Sequence, residues 1–204
     1  MRRLVGFLAA ALMVLGAAGS ARANTIEIAF GNIGGAGVLF NGSGGFQFAN
    51  ATVGAGAGNS FQVTDAYIDP TLAALPGFFD PILGLGVYGN IAGQFQIGGY
   101  TNAAQTQASV SNTSGGVISF IDAANKALTA NVVWSLIDNS GSGFGLNLVG
   151  TLNLSSLAYA GTDASFLQLL NSTAPAANIT FQFSQASGIT SIAQLLTTTR
   201  RGSS

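Results

Sequence analysis

Residues 128–154, LTANVVWSLIDNSGSGFGLNLVGTLNL, decide the fold. Leu128, Ala130, Val132, Trp134 and Leu136 share one parity, with Thr129, Asn131 and Ser135 on the other. Phe144, Leu146, Leu148, Gly150, Leu152 and Leu154 repeat the pattern against Asn147, Thr151 and Asn153. Successive side chains of a strand point to opposite faces, so a period of two predicts strands with one face on a core and one in water. Between the runs, Asp138-Asn139-Ser140-Gly141-Ser142-Gly143 is rich in turn formers and predicts an antiparallel connection. After Ser155-Ser156 the apolar parity moves to Leu157 and Tyr159, which predicts a bulge or bend.

The same period extends outward. Ile26, Ile28 and Phe30 alternate with Glu27 and Ala29, and a Phe-Gln-apolar echo recurs at Phe46, Phe61, Phe95 and Phe181. Alternation alone accounts for the echo, with rings inward and Gln outward; a ligand-facing array of Gln amides is the functional rival. Helix signals are few. Thr162-Asp163 can cap a short helix carrying Phe166, Leu169 and Leu170, which Pro175 stops. Thr71 to Leu75 allows about one helical turn, and Thr190 to Leu196 suits either helix or strand. The apolar, non-alternating stretch from Asp69 to Gly86, broken by Pro70, Pro76 and Pro81, predicts an ordered loop over an edge or open end of the sheets. Many short strands with Gly-rich turns predict an all-β fold: an antiparallel, jelly-roll-like β-sandwich with one or two short helices.

The chain begins with a secretory address. Arg2 and Arg3 precede the apolar run Leu4 to Leu15, and Ala21-Arg22-Ala23 fits a small-x-small cleavage site. Residues 1–23 are therefore expected to be a signal peptide, 24–194 one β-sandwich domain and 195–204 a polar tail. The apolar run is shorter than the about 20 residues of a spanning helix, and no second such run follows, so no transmembrane anchor is expected in the mature chain. The mature chain would keep Lys126, Arg200 and Arg201 against seven acids, a net charge of −4. So few cations argue against nucleic acid as a partner.

Chemistry is limited by two zeros. The chain has no His and no Cys, which removes Ser-His-Asp triads, Cys nucleophiles, disulfides and the usual zinc sites. No enzymatic activity and no resident cofactor are expected. Calcium is the one metal considered, because Asp65, Asp69 and Asp80 cluster around the irregular stretch and calcium accepts oxygen ligands. Asp122 and Asp138, at the ends of alternating runs, read as turn-forming residues, and Asp69-Pro70 and Asp80-Pro81 as turn-initiating dipeptides. Tyr67, Tyr88 and Tyr100 lie near the same stretch and are the aromatic candidates for binding a glycan or lipid. Trp134, on the apolar stripe, is expected in the core.

Runs such as FQVTDAYIDP, GQFQIGGYT, ANVVWSLID and GTLNLSSLAYAGTDASFLQLLNS followed by NITFQFS resemble exported bacterial all-β domains, most of all the family that carries the PEP-CTERM surface-sorting signal. That resemblance implies a secreted or surface β-sandwich of the exopolysaccharide or biofilm matrix, with no catalytic residues to carry over. The tail Leu195 to Ser204 lacks the Pro-Glu-Pro and hydrophobic helix of that signal, so free secretion or periplasmic residence is expected in place of anchoring. The expected function is thus a non-enzymatic exported protein of the cell surface or extracellular matrix, with exopolysaccharide or self-association as its partner. A glycan- or lipid-binding module and an outer-membrane β-barrel are the alternatives.

Overall fold

The computed structural model describes residues 25–31, 33–69, 73–80, 82, 85–139, 145–172, 175–184, 189–199 and 201–202. The expected signal peptide, the turn at 140–144 and Pro70 to Leu72 lie outside the described residues. The strands are β1 (Thr25–Gly31), β2 (Gly37–Phe40), β3 (Gly45–Ala49), β4 (Phe61–Asp69), β5 (Ala73–Ala74), β6 (Phe79–Asp80) and β7 (Leu85–Gly86). They continue with β8 (Tyr88–Tyr100), β9 (Gln107–Ile121), β10 (Ala127–Asn139), β11 (Gly145–Tyr159), β12 (Ala176–Ser184) and β13 (Arg201–Gly202). Two short helices, α1 (Ala164–Leu170) and α2 (Ile192–Leu195), complete the described elements.

One curled sheet runs β13-β2-β3-β8-β9-β10-β11-β12-β1-β4-β5, and β6 and β7 form a separate hairpin. Neighbours are antiparallel except β1 and β12, which are parallel. A further pairing of β4 with β8, at Phe61↔Gly89 and Gln62↔Tyr88, brings the sheet back on itself. Strands β8, β9, β10, β11, β12, β1 and β4 thereby close a ring, and the β2–β3 hairpin continues from the far half of β8 through Phe46↔Phe95. The all-β, mostly antiparallel class with two short helices is as the alternation predicts.

The core follows from parity. Ile26, Ile28 and Phe30 of β1, Phe61 and Val63 of β4, and Leu128, Ala130, Val132 and Trp134 of β10 are all buried. Phe30, on β1, reaches Phe120 on β9 with ring centroids 5.9 Å apart, and Phe46, on β3, meets Trp134 on β10 at 5.5 Å. Neither pair joins strands adjacent in the sheet, so these contacts cross the interior. Each aromatic pair adds roughly 0.5–1.5 kcal/mol beyond the burial of its rings. Outward positions such as Asn131, Ser135, Asn153 and Ser155 are exposed and uncharged.

Between β10 and β11, two register shifts correct the simple parity. Opposite Ala130, β11 carries one extra residue near Ser156, whose φ of 51° is left-handed, and the register moves from Thr129↔Ala158 to Asn131↔Ser155. This is the slip predicted after Ser155. A second shift between Trp134 and Leu136 was not anticipated: Ile137, not Leu136, becomes the buried residue there.

The irregular stretch lies along the edge of β4, as expected. Leu75 N donates to Ala66 O at 2.9 Å, and Val63 N donates to Val87 O at 2.9 Å. Gly86 is required at this seam, because a Cβ there would fall 1.7 Å from the Val63 carbonyl oxygen. The helical turn expected before Leu75 is replaced by strand: Ala73 and Ala74 pair with Ile68 and Tyr67. An unpaired β4 edge offers backbone bonds that one isolated helical turn cannot supply.

Candidate functional site

A cleft of about 580 Å³ lies where β6, β7, the start of β8, the β9–β10 turn and the start of α1 meet. Asp80, Tyr88, Asp122, Asn125, Asp163 and Asn59 line it, over Phe78 and Ile121. Sequence places each carboxylate by a local rule. Asp122 closes the β9–β10 turn: its Oδ1 accepts from Lys126 N at 2.7 Å, and Asn125 takes the left-handed φ of 62°. Asp163 caps α1, its Oδ1 accepting from Ser165 N at 2.9 Å and Phe166 N at 3.1 Å. Asp80 Oδ1 accepts from Ile82 N, two residues on, at 2.8 Å where the chain leaves β6.

Tyr159 ties these together. Its hydroxyl donates to Asp122 Oδ2 and accepts from Asp163 N at 3.1 Å. The hydrogen bond from Tyr159, then that from Lys126 N–H, holds the Asp122 carboxyl below its ordinary range. Burial, and then the same bond to Asp122, push the Tyr159 hydroxyl up. Below, Phe166 stacks on Phe78 with centroids 4.3 Å apart and fixes α1 against the hairpin segment. The carboxylates of the cleft thus hold its walls in place.

Of the aromatic candidates, only Tyr88 lines the cleft, with its ring also packed on Ile33, Ala36 and Ala51. Tyr67 faces outward beside Glu27, its cross-strand partner, and donates to Glu27 Oε2 at 2.5 Å. Tyr100 packs on the main core from the far end of β8. The structure does not gather the three tyrosines on one surface. Of the aspartates, Asp80 lines the cleft, Asp65 is exposed on the outer face of β4, and Asp69, paired with Thr25, has its side chain outside those described. Among the described residues no three carboxylates form a group that could hold a metal ion. Asp65 sits on a strand face and Asp80 on a hairpin that runs along that strand's edge.

Sequence reasoning read Asp122 as a turn residue and Asp163 as a cap, both correctly, but did not place them in one cleft. That juxtaposition is made by Tyr159 of β11, which bonds both Asp122 and the backbone N–H of Asp163, and no local pattern encodes it.

The second concavity is a hollow of about 270 Å³ between the β2–β3 hairpin, β8 and β9. Leu39, Asn41, Gln47, Gln94, Gln96 and Thr113 line it, and none of them is charged. Two members of the Phe-Gln echo are therefore here. Elsewhere, Gln62 donates to Gly86 O at 2.9 Å, and the side chains of Phe181 to Phe183 lie outside those described. The echo keeps its rings inside: Phe46, Phe48, Phe61 and Phe95 are buried.

Comparison with protein-family models, with curated proteins and with solved structures finds no match to this chain.

Proposed function

We propose that this chain is a non-enzymatic exported protein of the bacterial cell surface or extracellular matrix. The observation that carries the reading is the chemistry of the outer face: strand positions such as Ser111, Asn112, Thr113, Ser114, Asn131 and Ser135 are exposed hydroxyls and amides. A surface hydrated by neutral hydrogen-bonding groups is little affected by salt and only weakly opposed to self-association. The carboxylates of the larger cleft support it as well, since turn and cap bonds engage them and the chain has no His or Cys to act as a base near neutral pH. An outer-membrane β-barrel would need an apolar band facing lipid, and apolar side chains such as Ile28 of β1, Val63 of β4 and Val132 of β10 are instead buried in the core. Expression of the full chain followed by fractionation and intact-mass measurement tests export. Exported protein beginning near Asn24 is expected; cytoplasmic protein that keeps residues 1–23 would contradict the reading.

A second reading, a glycan-binding module, is favoured by the two concavities. The Tyr88 ring offers the cleft a stacking surface, and the hollow offers unengaged amides. Retention on immobilised glycans by a mechanism independent of salt is its expected signature.

A further inference from the structure

We propose that the hollow between the β2–β3 hairpin and the middle of β8 and β9 binds a neutral saccharide through the side chains of Gln47, Gln94 and Thr113. The inference rests on the glycan-binding reading above and assigns it a site and a ligand class. Gln47 is exposed between buried Phe46 and Phe48, and Gln94 is exposed beside buried Phe95. β3 and β8 pair at Gly45↔Gln96 and Phe46↔Phe95, and next to this pairing Gln47 and Gln94 both line the hollow. Neither amide, nor the Thr113 hydroxyl, makes a hydrogen bond to any described residue. The neighbouring groups do: Asn41 Oδ1 accepts from Ser43 N and Gly45 N, and Gln96 Nε2 donates to Ser43 O at 2.7 Å. The hollow thus has a braced rim and unengaged groups within it.

The sheet is distorted to make this wall. From Ala108 to Val117, β9 takes nine steps while β10 takes six, from Ile137 to Asn131, so three extra residues of β9 leave the ladder. Gly93, Gly115 and Gly116 have φ of 129°, 63° and 125°, and a Cβ on Gly93 would fall 2.7 Å from Gly116 N. Asn112 Nδ2 donates to Val132 O at 2.6 Å and so occupies a carbonyl of β10 within the interrupted ladder. Bulges of this kind terminate pairing and re-aim side chains. Here the displaced residues include Thr113, brought to the hollow beside Gln94.

The chemistry selects the ligand. An amide presents a donor and an acceptor together, the same pair that each sugar hydroxyl can answer. No charge lines the hollow, so neither a uronic acid nor an amino sugar gains from its own charge. Leu39, 37% exposed, adds apolar surface for the C–H face of a ring. The volume lies just under the roughly 300 Å³ lower bound for drug-sized ligands, a size for one monosaccharide unit at a time.

The test is an NMR titration of the side-chain amides of the full chain with maltose, cellobiose and lactose, and in parallel with digalacturonate and a glucosamine disaccharide. Saturable shifts of the Gln47 and Gln94 amides by at least one neutral disaccharide are expected, unchanged by added salt. Gln47→Ala with Gln94→Ala should weaken that binding about tenfold or more, whereas Tyr88→Ala should leave it unchanged. An unaltered thermal midpoint in the double variant would show that it still folds. Silence of both amides with all three neutral sugars, response only to the charged ones, or binding that survives the double substitution would each overturn the proposal. Export is measured separately, so failure here leaves the surface reading standing, and failure of export leaves the chemistry of the hollow to be judged by this titration.

Discussion

The cleft beside Tyr88 and the hollow beside Gln94 lie along the same two strands, β8 and β9, and are opposites in chemistry. The cleft holds three of the seven acids of the chain, yet each accepts a backbone N–H from its own turn, helix cap or hairpin. The hollow holds no charge, yet the side chains of Gln47, Gln94 and Thr113 bond to no described residue. Reactive residue types therefore mark where this fold is fastened, and bland ones mark where it has bonding capacity left. A buried polar group is stabilising only when satisfied, so the carboxylates near the interior have to be the engaged ones. Exposed amides have no such requirement.

Substitutions at the two places should differ in size, the largest effect belonging to the packing under the cleft. Phe166→Ala removes the ring that stacks on Phe78 and should destabilise by about 3–5 kcal/mol in urea denaturation. Asp163→Ala deletes the cap of α1 and should lower stability by about 0.5–2 kcal/mol by the same measurement. Acid should loosen the cleft next. The pKa of Asp122 in the folded chain lies below the ordinary 3.8, so its contribution is complete above that value and lost as pH falls through the lowered one. Tyr159→Phe removes the principal cause of the shift and should make the acid limb of a stability–pH profile shallower. The smallest effect belongs to the hollow, where Gln47→Ala and Gln94→Ala should each change stability by less than about 0.5 kcal/mol.

Much of the frame was legible because it is local. The alternation from Leu128 to Trp134, the slip after Ser155, the Asp163 cap and the Asp122 turn all depend on residues within a few positions of one another. Ile137 displaced Leu136 from the core because the shift there depends on the partner strand, where Thr151 faces Leu136 and Leu152 faces Trp134. The closure of β4 on β8 was likewise invisible, being a contact between strands joined through the apolar stretch 73–87. The sites were least legible. Asp65 and Asp80 stand on different elements, a strand face and a hairpin, whereas Gln47 and Thr113 come together only through the pairing of β3, β8 and β9 and a bulge of three residues. The Phe-Gln echo carried the only signal of the hollow, and alternation explained it equally well.

The central claim is that the carboxylates of the cleft fasten the fold while the amides of the hollow do not. Urea denaturation of Asp163→Ala beside the Gln47→Ala/Gln94→Ala double variant measures this directly. A lowered midpoint for the first and an unchanged midpoint for the second are predicted. An unaffected Asp163→Ala, or a double variant as destabilised as the loss of the cap, would contradict it.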